Sequence, residues 1–181
     1  MTPARRWHEE PLTRRHDRAG FDCGVPALNE YLQRYARQNH ESGGAKTFVA
    51  VEPDAPTRVL GYYTIAPGAL DFADVPDVPD VARRGLARYD VPVFRLGRLA
   101  VATSEQGHGL GGALLMAAGQ RASTVAEAVG GVALAIDAKD DAAAGWYERF
   151  GALRLLDDRL ALVLPLSTIA AALTAAGRRR R

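Results

Sequence analysis

The chain has 181 residues, 48% hydrophobic and 24% charged, the make-up of one soluble globular domain with enough apolar material for a core. Formal net charge is only +2, too little to announce a nucleic-acid binder by itself. The only cysteine, Cys23, excludes an internal disulfide and fits a reducing cytoplasm, and no apolar run approaches the ~20 residues that cross a bilayer.

Met1 to Asp17 mixes acids, bases and prolines with no apolar stretch, so it does not read as a signal peptide. Phe21-Asp22-Cys23-Gly24 followed by Val25-Pro26 reads as a strand end entering a helix, with Asp22 or Gly24 near the cap and Pro26 in the first turn. Leu28, Tyr31, Leu32, Tyr35 and Ala36 then recur at helical spacing to about Asn39, and Gly43-Gly44 ends that helix. Thr47 to Val51 and Val59 to Ile65 are strand-like, joined by the turn Pro53-Asp54-Ala55-Pro56. Pro67 to Pro92 is rich in Pro, Asp and Arg and reads as a long excursion. Val93 to Val101 is a strand that passes through Thr103-Ser104-Glu105 into a glycine turn and a helix from Leu110 to about Val129. Val132 to Ile136 is a short buried strand. Asp140 or Asp141 caps a helix carrying Trp146, Tyr147 and Phe150, and Gly151 stops it. Strands at Leu153 to Leu156 and Leu160 to Leu164 and a helix from Ser167 to Ala176 close the chain. This order predicts an α/β fold with a central mixed, twisted sheet flanked by helices. It is expected to be one domain over 1–181, with about 1–10 and 177–181 as flexible ends.

Gln106-Gly107-His108-Gly109-Leu110-Gly111-Gly112 joins a strand to a helix. Such a turn presents unpaired amides at the positive end of a helix dipole, which suits a pyrophosphate. Glycines let the backbone approach it without Cβ clashes. The turn lacks the Gly-Lys-Ser/Thr ending of a Walker loop, and no acid follows at the spacing a dinucleotide site needs, since Glu127 is still on the helix.

Gln106, Gly109 and Gly111 match Gln/Arg-x-x-Gly-x-Gly/Ala, and the turn resembles the acyl-CoA turn of GNAT acetyltransferases. Leu96 to Val101 is similar to that family's strand whose backbone pairs with pantetheine, and Ala144 to Gly151 to its helix carrying a tyrosine near the thioester sulfur. The resemblance implies acetyl-CoA held by Leu99, Ala100, Val101 and Gln106 to Gly112, with Tyr147 catalytic. Phe21 to Gly24, Leu28 to Leu32, Thr47 to Val51, Gly61 to Thr64 and Leu96 to Val101 further resemble the TacT/AtaT-type acetyltransferase toxins, over roughly residues 10 to 173. That likeness implies acetylation of the α-amine of aminoacyl-tRNA, a ribbon-helix-helix antitoxin and a homodimer. Ala152 departs from the aromatic common in that family after Phe-Gly.

The chemistry suits such an acceptor. An α-amine titrates near ~8 against ~10.4 for lysine, and an ester on its carboxyl lowers it further, so no strong general base is required. A backbone N–H in Leu99 to Val101 is the expected oxyanion donor. Tyr147 is the candidate to hydrogen-bond or protonate the departing thiolate. Beside Trp146 and Phe150 the same tyrosine also reads as a packed aromatic. Arg83, Arg84 and Arg88, with Arg95 and Arg98, are the candidates for acceptor-stem phosphates, Arg98 reading equally as a structural partner. Arg178 to Arg181 reads as a solvated tail. Tyr62 and Tyr63 alternate across a strand, one expected in the core and the other along the acceptor groove. Cys23 reads as buried packing, and His8, His16, His40 and His108 lack metal-ligand spacing, so no metal is expected. Two rival functions remain: acetylation of a small amine or protein N-terminus, and an acyl-CoA-binding module without chemistry.

Overall fold

The computed structural model describes residues 6–76 and 89–179. In chain order it forms β1 (His8–Pro11), α1 (Pro26–Glu30), a π-helical turn (Tyr31–Tyr35), α2 (Ala36–Ser42), β2 (Lys46–Val51), β3 (Gly61–Leu70) and β4 (Val91–Val101). A 3₁₀ turn (Thr103–Glu105), α3 (Leu110–Val129), β5 (Ala133–Asp137), α4 (Asp141–Glu148), β6 (Leu153–Arg154), β7 (Ala161–Pro165) and α5 (Leu166–Arg179) follow. The strands form one sheet in the order β1-β2-β3-β4-β5-β7-β6. The β4–β5 pair is parallel, while β1–β2, β2–β3, β5–β7 and β6–β7 are antiparallel, so the sheet is mixed as expected. The backbone divides into two compact units: residues up to Ala66 with Gly97–Leu115, and Pro67–Leu96 with Met116 onward.

In the first unit, Val49, Val51 and Tyr62 of the sheet pack with Phe21, Leu32 and Ala36 in one buried cluster. The helical stretch Pro26 to Ser42 is nearly the one read from periodicity, but it contains a π turn in which the Ala36 amide donates to the Tyr31 carbonyl five residues back. Arg18 Nη1 donates to the Gln33 carbonyl inside that turn at 2.9 Å. Gly43, at φ 83°, ends α2 as an αL cap. Just beyond it, Lys46 Nζ donates to the His40 carbonyl at 2.7 Å.

Within the stretches expected to be flexible, His8–Pro11 form a strand and 177–179 continue α5. β1 is short, polar and terminal in the sheet, so it carries no alternating apolar signal. On it, Glu10 accepts hydrogen bonds from Arg15, from His16 Nε2 at 2.6 Å and from His8 Nε2 at 3.2 Å. His16 is buried, and its Nδ1 accepts from the Thr13 amide, which leaves the ring proton on Nε2.

The expected excursion from Pro67 is corrected at both ends. Residues up to Leu70 continue β3, and Val91 and Pro92 open β4. Pro67 lies beyond the β2–β3 register, which stops at Ile65, and Pro92 precedes the β4–β5 register, which starts at Val93.

In the second unit, Val91, Val93, Ala133, Ala135 and Val163 form a buried cluster with Val75 and Leu155. α3 begins and ends as the glycines suggest. Asp140 caps α4 by accepting from the Ala143 amide at 2.8 Å, and its neighbour Lys139 pairs with it at 3.3 Å. The last helix starts at Leu166 rather than Ser167 and buries Leu166 and Ile169. No helix among the described residues is long and apolar enough to cross a membrane.

Candidate active site

The glycine turn is built from both sides. Gly107 and Gly109 have φ of 79° and 84°, a left-handed conformation that a side chain would strain, and a Cβ added at either would meet open space. Residues 106–109 are exposed, while Leu110 is buried and anchors the helix that follows. The first amides of α3 have no intrahelical acceptor, and the 20-residue helix adds its dipole at that end. Exposed glycines and free amides at a helix start give this turn the geometry that suits an anion.

What holds the turn was not legible in the motif. Gln106 directs its side-chain amide inward, donating to the Cys23 and Val101 carbonyls at 3.0 Å each. One residue earlier, buried Glu105 accepts from Arg58 Nη2 at 3.1 Å and from Ser104 Oγ at 3.1 Å. The Phe21 to Gly24 segment is the floor of this arrangement. Asp22 Oδ1 accepts from the Gly24 amide and from Asn29 Nδ2, both at 2.8 Å, which holds its carboxyl below the usual carboxylate range. Asn29 Oδ1 in turn accepts from the Cys23 amide at 2.8 Å. So fixed, the Asp22 carbonyl takes the Thr103 amide while the Cys23 carbonyl takes Gln106. Cys23 itself is buried.

Leu99, Ala100 and Val101 end β4 just before this turn, Ala100 buried and its neighbours half-buried. Arg98 lies with its guanidinium 3.6 Å over the Tyr31 ring, a cation–π contact. Tyr31 stacks on Tyr62, whose hydroxyl donates to the Leu28 carbonyl at 2.7 Å. Tyr62 and Tyr63 are both fully buried, Tyr63 stacking on Phe48, so neither lines a groove. His108 is exposed.

In the second unit, Tyr147 sits in the last turn of α4, 9% exposed, with Trp146 edge-on at 4.9 Å between centroids. Burial pushes its phenol up to about 12. Its carbonyl accepts from the Phe150 and Ala152 amides, so buried Ala152 closes the helix end beneath it. Arg95 pairs with Asp137 at 2.8 Å. Arg83, Arg84 and Arg88 lie outside the described residues. Among the described residues, no cluster of metal-ligating side chains is present.

Residues 4–152 match the acetyltransferase (GNAT) family profile. The chain is 38% identical over 134 residues to a tRNA-acetylating toxin of Mycobacterium tuberculosis (strain ATCC 25618 / H37Rv), covering 74% of this chain and 76% of that protein. The fold is similar to AtaT complexed with acetyl-methionyl-tRNAfMet, with a TM-score of 0.84 and 27% identity over 93% of this chain and 99% of that one. A tyrosine-to-phenylalanine variant of AtaT bound to the C-terminus of the antitoxin AtaR is similar at TM-score 0.79 and 27% identity, covering 93% and 98%. With the family profile spanning most of its length, the chain belongs to the GNAT acetyltransferase family.

Proposed function

We propose that this protein moves the acetyl group of acetyl-CoA onto the α-amine of an amino acid esterified to tRNA, and so acts as the translation-blocking toxin of a toxin–antitoxin pair. The observation that carries the reading is the exposed turn at residues 106–109, fixed from below through Gln106 and continuous with Leu99 to Val101. Backbone amides of Gly107 to Gly112 take the pyrophosphate, and Leu99 to Val101 take the pantetheine arm and the oxyanion. Gln106 serves this site by bracing the turn, since its side-chain amide is already engaged.

The neutral amine nitrogen attacks the thioester carbonyl carbon, a C–N bond forms, the C–S bond breaks and CoA leaves as a thiolate. The proton shed by the nitrogen passes to solvent water, from which the thiolate is later protonated. Tyr147 is the group assigned to that sulfur. With its phenol at about 12, it stays protonated throughout the neutral range. Handing the proton over completely to a thiolate of ordinary pKa, about 8.5, would run uphill, so a hydrogen bond to the sulfur suits Tyr147 better than full transfer. Arg83, Arg84, Arg88, Arg95 and Arg98 are the proposed contacts to acceptor-stem phosphate. Of these, Arg98 doubles as the cap on Tyr31, and Arg95 is shared with Asp137. A ribbon-helix-helix antitoxin, a second copy of the chain and a cytoplasmic setting complete the reading. Its support is the likeness to a tRNA-acetylating toxin and to AtaT carrying acetyl-methionyl-tRNA and its antitoxin's C-terminus.

The test is acetyl transfer from labelled acetyl-CoA to a pool of charged tRNAs, with uncharged tRNA, polyamines and a peptide N-terminus in parallel. Label is expected on the amino acid released from charged tRNA, with Tyr147→Phe turning over about 100-fold more slowly at unchanged acetyl-CoA affinity. Label on a free amine or peptide alone overturns the tRNA assignment, and no transfer from bound acetyl-CoA overturns the enzyme.

A further inference from the structure

Helix α4 spans Asp141 to Glu148 and carries Tyr147 as its penultimate residue. Two turns of helix are marginal without tertiary support. The helix buries Ala144 and Tyr147, and beyond its Asp140 cap one side chain from outside bonds to both of its ends. Arg154, on β6, donates from Nε to Glu148 Oε1 at 3.0 Å and from Nη2 to Glu148 Oε2 at 3.3 Å. Its Nη1 donates to Asp141 Oδ1 at 2.6 Å and to the Arg159 carbonyl at 3.1 Å. Asp141 and Glu148 are the first and last residues of the helix, seven apart and therefore on one face. A single guanidinium thus holds both ends of α4, and β6 is itself locked to β7 through Leu153↔Val163 and Arg154↔Leu162.

We infer that Arg154 is a positioning residue for catalysis, clamping α4 so that the Tyr147 hydroxyl is held where the leaving sulfur needs it. The inference rests on the role given to Tyr147 above. Bidentate, networked ion pairs also add to stability, so the rate and not the unfolding midpoint separates positioning from structural support. A bidentate fork to Glu148 combined with a second carboxylate fixes rotation about the helix axis, which a single point contact would leave free. Geometry gives that rotation weight. Turning a helix of ~5–6 Å outer radius by about 10° moves a surface group by about 1 Å. A misplacement of that size costs on the order of 100-fold in rate.

Arg154→Met and Arg154→Lys in the full chain, each alone and combined with Tyr147→Phe, test the inference with labelled acetyl-CoA and charged tRNA. The expected result is a kcat at least tenfold lower for Arg154→Met, with KM for acetyl-CoA within twofold of the parent, measured well below the unfolding midpoint. Arg154→Lys, which keeps the charge without the fork, is expected to be nearly as slow and carries the test if the Met variant does not fold. In the Tyr147→Phe background the Arg154 substitutions are expected to add almost nothing, because both act through one hydroxyl. An unchanged kcat, or a loss that multiplies fully with that of Tyr147→Phe, overturns the clamp. A Tyr147→Phe variant as fast as the parent overturns the tyrosine's role instead.

Discussion

At Glu10 burial and hydrogen bonding oppose each other. Burial pushes the carboxyl up, yet the hydrogen bonds from Arg15, His16 and His8 together outweigh it and hold the group at about 2, against an ordinary 4.5. A carboxyl lowered in the folded state stabilises the fold above its unfolded pKa and loses that contribution as pH falls through the folded one. The protein is therefore expected to lose stability between about pH 4.5 and pH 2 by uptake of up to one proton at this site. Glu10→Gln should lower stability at pH 7 and flatten that limb, read as the thermal midpoint from pH 7 downward; a limb equally steep in both chains would exclude Glu10 as its source. Single residues also show where sequence reasoning stops. Gly107 and Gly109 could be assigned to the turn because their chemistry is backbone conformation, which composition reveals. The inward aim of Gln106, and the burial of both Tyr62 and Tyr63, depend on partners far along the chain.

At the scale of elements, α3 was legible to its ends because a left-handed glycine stands beside each, Gly109 at φ 84° and Gly130 at φ 85°. The π turn at Tyr31–Tyr35 was not legible, since it preserves helical spacing on either side and its visible partner, Arg18, lies 15 residues before Gln33. β1 and the ends of β3 and β4 escaped for a related reason: polar or proline-bearing residues are tolerated where one edge is unpaired. Arg154 likewise reads as an ordinary charge in a two-residue strand. One close approach bears directly on the proposed acetyl-CoA site. A Cβ at Gly61 would lie 2.9 Å from the Ala100 carbonyl oxygen and 2.9 Å from Leu114 Cδ1. Gly61→Ala is expected to cost about 1–3 kcal/mol, and by displacing Ala100 to raise KM for acetyl-CoA. Denaturant unfolding and initial rates check both, and a variant of parental stability and KM would mean that β4 yields without consequence.

At the scale of the whole molecule, a formal charge of +2 conceals an uneven supply of cations, nearly all of them arginine. Several are committed to carboxylates, among them Arg37 to Glu41, Arg58 to Glu105 and Arg154 to Glu148. If Arg83, Arg84 and Arg88 meet tRNA phosphate, replacing them with alanine should flatten the slope of log affinity against log salt by about 0.7–0.9 per arginine lost. Filter binding across a salt series measures it, and an unchanged slope removes these three from the interface.

The scarcity of lysine has its own consequence. Lys46 and Lys139 are the only two in the chain, one ammonium bound to the His40 carbonyl and the other beside the Asp140 carboxylate. Each ammonium is already engaged by an acceptor. A catalyst that activates acetyl groups for amines thus keeps almost no ε-amine of its own within reach of self-modification, and the thioester it binds is spared for an acceptor brought from outside.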